Sequence, residues 1–181
     1  SFRHLTYDLK GSSYSRSVLA KSSLRNFNPE EASGKILKDN DFKHIEQEIC
    51  LSDEDYSRLV KQVEHDVNFL EERNLMDYSL LITISTQNSF SEFSFPNQKH
   101  RIYFGTNIHG HRVMMAVGII DYFQQFTFGK KMELTMKKVF TRAAKDQISS
   151  QAPDIYASRF LCGVHNVFTN PSLRPSLRAE Q

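Results

Sequence analysis

The 181-residue sequence predicts an α+β fold, an antiparallel sheet flanked by helices. Three observations carry that expectation. Apolar residues recur at helical spacing from Tyr56 to Leu70 behind a capping signal at Ser52. Two β-rich runs, Arg101 to Asn107 and Arg112 to Ile120, are joined by Ile108-His109-Gly110-His111, which reads as a hairpin turn. A third apolar run, Asp77 to Ser85, precedes them. At this length the chain forms one domain with a sizeable core. Its 39% hydrophobic and 24% charged residues are those of a soluble globular protein.

The elements follow in order. Phe2 to Leu9 alternates loosely and reads as a strand entering the turn Lys10-Gly11-Ser12-Ser13. Ser17 to Lys35 is rich in Ser, Asn, Lys, Glu and Gly and reads as a mobile connection. Lys38, Asp39 and Asp41 carry no evident chemistry beyond capping a short helix. Ser52, with Asp55 three residues on, starts a helix that presents Tyr56, Leu59, Val60, Val63, Val67 and Leu70 and runs to about Arg73. Asp66 is out of place on that apolar face and calls for a structural hydrogen bond. Thr86 to His100 is a polar loop between strands. Lys130 to Lys145 suits a basic helix or a flexible loop, and Pro153-Asp154 opens a last helix with Tyr156, Phe160, Val164 and Val167 on one side. Thr169 to Gln181 is expected to fray.

Composition excludes several functions. No apolar run is long enough to span a bilayer, and the N-terminus does not read as a signal peptide. Cys50 and Cys162 lie far apart without metal-type spacing, as reduced thiols of a cytosolic protein would. His109, His111 and the Cys162/His165 pair lack partners at zinc spacing. A formal charge of +2 gives no bulk attraction to nucleic acid, and no such partner is expected.

Two acids stand at the ends of apolar runs. Asp77 opens Asp77-Tyr78-Ser79-Leu80-Leu81, and Asp121 closes Val117-Gly118-Ile119-Ile120-Asp121. An unpaired buried acid costs several kcal/mol, roughly, so such residues sit where water, a cation or a substrate reaches them. On neighbouring strand ends they could hold a divalent metal and orient a hydroxyl. The ordinary alternatives are a turn carboxylate capping Ser79 and a strand-end acid facing solvent.

The surrounding strings are more specific. DLKGS at 8–12 followed by Arg16, LKDNDF at 37–42, MDYSLL at 76–81, GIID at 118–121, KKME at 130–133, and Tyr156 with Arg159-Phe160 together resemble the phosphatidylinositol phosphate kinases, in the family's order, over roughly Tyr7 to Phe168. The resemblance implies the C-terminal lobe of such a catalytic domain at 1–168, with an activation loop at about 122–150 and a flexible tail at 169–181. It places the glycine-rich loop and nucleotide lysine of the ATP-binding lobe upstream. The chain is therefore expected to hold half an active site, with its own N-terminal lobe as a partner.

The resemblance also implies roles. Asp77 looks like the catalytic aspartate that accepts or orients the inositol hydroxyl proton, and Asp121 like the magnesium ligand beside ATP. Lys10 would approach a phosphate, with Asp8 and Arg16 fixing it, although a surface lysine in a turn is the plain alternative. Lys130, Lys131, Lys137, Lys138, Arg142 and Lys145 face one acid, Glu133, and interleave with Phe126, Phe128, Met132, Leu134 and Met136. Such a stretch is usually a solvated face, but it also suits an anionic membrane surface. The resemblance implies that it reads the phosphoinositide headgroup at the cytoplasmic face as a peripheral membrane protein. Glu133 in Lys-Lys-Met-Glu resembles the 5-kinase pattern, and MDYSLL and LKDNDF resemble kinases of phosphatidylinositol 4-phosphate. Phe126-Thr127-Phe128 resembles instead the PIKfyve type, which uses 3-phosphate lipids. A non-catalytic phosphoinositide-binding module is the rival class.

Overall fold

The computed structural model describes residues 3–12, 16–20, 27–32, 34–86, 102–125 and 152–173. Lys130, Lys131 and Glu133, most of the expected activation loop, the polar loop beyond Thr86 and the tail beyond Leu173 lie outside the described residues.

Sheet formation follows the apolar alternation. Strand β1 (Arg3–Leu9) pairs antiparallel with β5 (Ser79–Thr86), and β5 with β7 (Arg112–Ile120). The hairpin continues through β6 (Ile102–Asn107) to β3 (Ile49–Leu51), again antiparallel. Two short parallel strands close the edges: β2 (Ile36–Leu37) on β1, and β9 (Phe168–Thr169) on β3. The order is β2-β1-β5-β7-β6-β3-β9. The class is α+β as expected, with a mixed sheet because both edge strands run parallel to their neighbours. Strands of two residues leave no readable period, which is why their sequences gave no sign of them. A separate small ladder joins β4 (Leu75–Met76) to β8 (Gln124–Gln125).

Period-two burial fixes which face is covered. Along β7, Val113, Met115 and Val117 are buried while Ala116 and Gly118 are exposed. Helix α1 (Asp39–Ile45) contributes Phe42 and Ile45 to the core, with Phe42 meeting Tyr7 edge-on at 5.1 Å. Helix α2 (Asp53–Glu72) starts at the expected cap, where Ser52 Oγ accepts from the Asp55 amide at 3.1 Å. Its Leu59, Val63, Val67 and Leu70 join the same cluster as Leu80, Ile82 and Met115. Asp66 accepts from Gln62 Nε2 at 2.9 Å, one turn away. Helix α3 (Pro153–Val167) adds Tyr156, Phe160 and Val164.

Two buried acids brace this frame. Asp41 accepts from the Lys38 and Val18 amides, both at 2.9 Å, and from Ser17 Oγ, so it caps α1 and ties down the segment before it. Glu46 accepts from Tyr7 Oη at 3.3 Å and from Asn107 Nδ2 at 3.2 Å, at the hairpin-turn end of β6. Packing also passes the expected boundary at 168. Thr169 lies in β9, and buried Asn170 donates to Asp53 Oδ1 at 2.7 Å.

Candidate active site

Strand register brings the two singled-out acids to one end of the sheet. Ser79 lies opposite Ile120, so Asp77, two residues before the first, and Asp121, one after the second, leave adjacent strands on the same edge. Asp77 does not begin β5 as its sequence suggested. Its φ is 68°, a left-handed turn between β4 and β5 that breaks the ladder, and Asp121 has φ 59° just past β7. Aspartate tolerates this region better than most residues because its short carboxylate makes local hydrogen bonds. Each strand thus ends by turning its acid out of the sheet. Asp121 is exposed, and Asp77 is half-buried.

Lys10 reaches that edge from β1. Its Nζ donates to Asp77 Oδ1 at 2.8 Å and to the Asp77 carbonyl at 2.6 Å, with both side chains mostly shielded from water. The turn that delivers it needs glycine. Gly11 has φ +65°, and a Cβ there would lie 2.9 Å from the Arg159 carbonyl oxygen. Gly163 on α3 is the counterpart, since its Cβ would meet Gly11 Cα at 2.8 Å. A glycine inside an apolar helix signals such close approach, and this one went unread in the sequence. Gly11→Ala should destabilise the fold by about 2 kcal/mol, combining left-handed strain with a backbone clash. Gly34→Ala is the comparison, because Gly34 has φ +71° but nothing within 4 Å of its Cβ position. Urea unfolding should show the larger loss at Gly11, and equal losses would remove the contact from the account.

An alternating charge network holds the base of the turn. Lys38 Nζ donates to Asp8 Oδ2, and Arg16 Nη2 donates to the Asp8 carbonyl at 2.7 Å and to Asp8 Oδ1 at 3.3 Å. Arg16 Nε donates to Asp39 Oδ2. Burial pushes the Asp8 carboxyl up, but the hydrogen bond from Lys38, the nearby Ser79 hydroxyl and the charges of Arg16 and Lys38 outweigh it, holding the group below the usual range. Asp39 faces the turn itself. Its Oδ1 accepts from the Lys10 amide at 3.1 Å and the Ser12 amide at 3.2 Å. Lys38 and Asp39, to which the sequence assigned no chemistry, therefore belong to this cluster. Arg16 acts from behind the turn through Asp8 and Asp39.

Helix α3 supports the other side. Tyr156 Oη donates to the Tyr78 carbonyl, next to Asp77, and the two rings meet edge-on at 4.8 Å. Burial pushes both phenols well above their ordinary value, so both stay protonated. Arg159 lies over the Tyr156 ring at 4.6 Å and donates from Nη2 to the Lys10 carbonyl at 3.3 Å. Burial pulls its guanidinium below its ordinary value against the nearby Tyr156, Asp39 and Asp77.

The donor set suits a magnesium–nucleotide complex better than a protein-built metal cage. Among the described residues no three His, Cys, Asp or Glu gather as metal ligands. Magnesium needs only one or two carboxylates when phosphate oxygens complete its shell, and exposed Asp121 offers a hard oxygen at the right edge.

Known proteins share these strings. A sequence model of the family described as Phosphatidylinositol-4-phosphate 5-Kinase matches residues 2–103 and 91–167. The chain is 29% identical to phosphatidylinositol 4-phosphate 5-kinase type-1 alpha of Rattus norvegicus, covering 96% of the chain and 37% of the relative. It is 26% identical to the human type-1 beta protein, covering 87% of the chain and 35% of the relative. A phosphatidylinositol 4-phosphate 5-kinase of Plasmodium falciparum (isolate 3D7) is 30% identical across 90% of the chain and 10% of its own length. The chain spans little more than a third of the type-1 relatives it matches.

Proposed function

The chain belongs to the phosphatidylinositol-4-phosphate 5-kinase family, and from that membership we propose that it supplies the hydroxyl-activating and phosphate-orienting groups of a lipid kinase. The parent protein transfers the γ-phosphate of ATP to the 5-hydroxyl of phosphatidylinositol 4-phosphate. The observation that carries this is the meeting of Lys10 and Asp77 at the sheet edge where Asp121 also ends.

Asp77 takes the proton of the inositol hydroxyl as its oxygen forms the new bond to the γ-phosphorus and the bond to ADP breaks. Lys10 holds Asp77 in place and sets a cation where phosphate charge gathers. Asp121 would hold magnesium, which when bound neutralises charge on the nucleotide phosphates. Catalysis in this scheme needs more of the protein than the present chain. Glu133 among its cations sets which monophosphate headgroup is oriented for transfer.

The test is a substrate panel. The full-length protein, given ATP, magnesium and the 3-, 4- or 5-monophosphate lipid, should convert the 4-phosphate lipid fastest to the 4,5-bisphosphate. Preference for the 3-phosphate lipid would move the assignment to the PIKfyve type favoured by Phe126-Thr127-Phe128. Lipid binding without turnover would make the chain a phosphoinositide-binding module.

Membrane attachment has its own expected result. No helix among the described residues is long and apolar enough to cross a bilayer. The clustered lysines and interleaved apolar residues instead support surface binding, at about 1 kcal/mol per cation near an anionic leaflet. Exchanging Lys130 and Lys131 for Glu should release the protein from anionic vesicles roughly tenfold or more, and salt should mimic it. Co-sedimentation indifferent to both would remove the loop from membrane binding.

A further inference from the structure

We propose that Asp39 is a positioning residue of the transfer site, holding the Lys10-Gly11-Ser12 turn by its backbone amides and so aiming Lys10 Nζ at Asp77. The proposal rests on the function assigned above and names the group that keeps its lysine in place.

A lysine side chain is flexible, and its reach to Asp77 is defined only if its own backbone is fixed. Lys10 leaves β1 at a point where the ladder has ended, since pairing with β5 stops at Leu9 opposite Leu80. The next amides need other acceptors, and Asp39 supplies one carboxylate oxygen to both the Lys10 and Ser12 amides. Its second oxygen takes Arg16 Nε, which is itself held by Asp8, and shares the Lys10 amide at 3.3 Å. On the opposite side Arg159 fixes the Lys10 carbonyl, and the Gly11–Gly163 contact prevents the turn from sinking toward α3. Asp39 does not touch Asp77 in any described bond. Its bonds to the Lys10 amide carry its effect to the reacting groups.

The oxygens of Asp39 divide their partners unequally: Oδ1 takes both amides at the shorter distances, while Oδ2 takes Arg16 and a longer share of the Lys10 amide. Asparagine keeps the oxygen that receives the two amides but turns a donor toward Arg16, so it preserves the hold on the turn and loses the ion pair. Alanine loses both. Asp39→Ala in the full-length protein should therefore lower kcat about 10- to 100-fold with KM for ATP little changed. Asp39→Asn should keep at least about a third of wild-type kcat, because the amides remain bound. Glu46→Ala serves as the control for instability alone, since the buried Glu46 side chain bonds Tyr7 and Asn107 at the far end of β6. At a temperature where all variants are folded, Glu46→Ala should retain wild-type kcat despite a lowered Tm.

A second measurement does not depend on turnover. In the 181-residue chain, the Lys10 Nζ signal should resemble a solvent-exposed lysine in Asp39→Ala and stay wild-type in Asp39→Asn. If wild type turns over no phosphoinositide while this pattern appears, the assigned function fails and the positioning role stands. If Asp39→Ala leaves the Nζ signal unchanged, or if its kcat falls no further than that of Glu46→Ala, the positioning role is overturned.

Discussion

Asp77→Asn and Asp121→Asn are each expected to cut turnover of the full-length protein at least about a hundredfold while leaving the fold intact. Asparagine is nearly isosteric with aspartate and shares its tolerance of left-handed backbone, so the turns at φ 68° and 59° should survive. Lys10 Nζ would still have the Asp77 carbonyl at 2.6 Å as acceptor. What disappears is chemistry: an amide at 77 takes no proton from a hydroxyl, and an amide at 121 is a poor magnesium ligand. Steady-state kinetics and thermal melting should be read together. Near wild-type turnover with unchanged melting in either variant would remove that residue from the mechanism.

Lys10→Met should have an effect of similar size. Methionine replaces the apolar stem of lysine and removes the ammonium, so packing against the turn changes little. The carboxylate of Asp77 then loses its cation, and the transferred phosphate loses charge compensation. Turnover should fall about a hundredfold. Lys10→Arg should not restore it, because a planar guanidinium cannot occupy the point between Asp77 Oδ1 and the Asp77 carbonyl in the same way. Full activity in Lys10→Arg would mean that any positive charge suffices there and that the turn geometry is incidental.

Much of the fold was legible because its long elements have strong periods. Ser52 and the repeat from Tyr56 to Leu70 gave α2 from its cap to its last turn, and Arg112 to Ile120 matches β7. The edge strands were not legible, since Ile36–Leu37 and Phe168–Thr169 are strands only through their partners. Asp77 was read as a strand residue for a similar reason. Apolar alternation shows where a ladder runs, whereas left-handed backbone at one aspartate leaves no pattern in its neighbours. The site divides along the same line. Lys10, Asp77 and Asp121 were singled out through short strings with a chemical meaning, and the structure brings Lys10 to Asp77 at the edge where Asp121 also ends. Asp39 was quoted in such a string without a role, because its partners are backbone amides 27 and 29 residues away.

The meeting of Lys10 and Asp77 in one transfer centre is tested most directly by a double-mutant cycle on kcat/KM with Lys10→Met and Asp77→Asn. Residues that act as a unit are strongly non-additive, so the double variant should be hardly worse than the poorer single one, with coupling of at least about tenfold. Losses that simply multiply would show that the two side chains work independently, and would contradict a transfer site built on their contact.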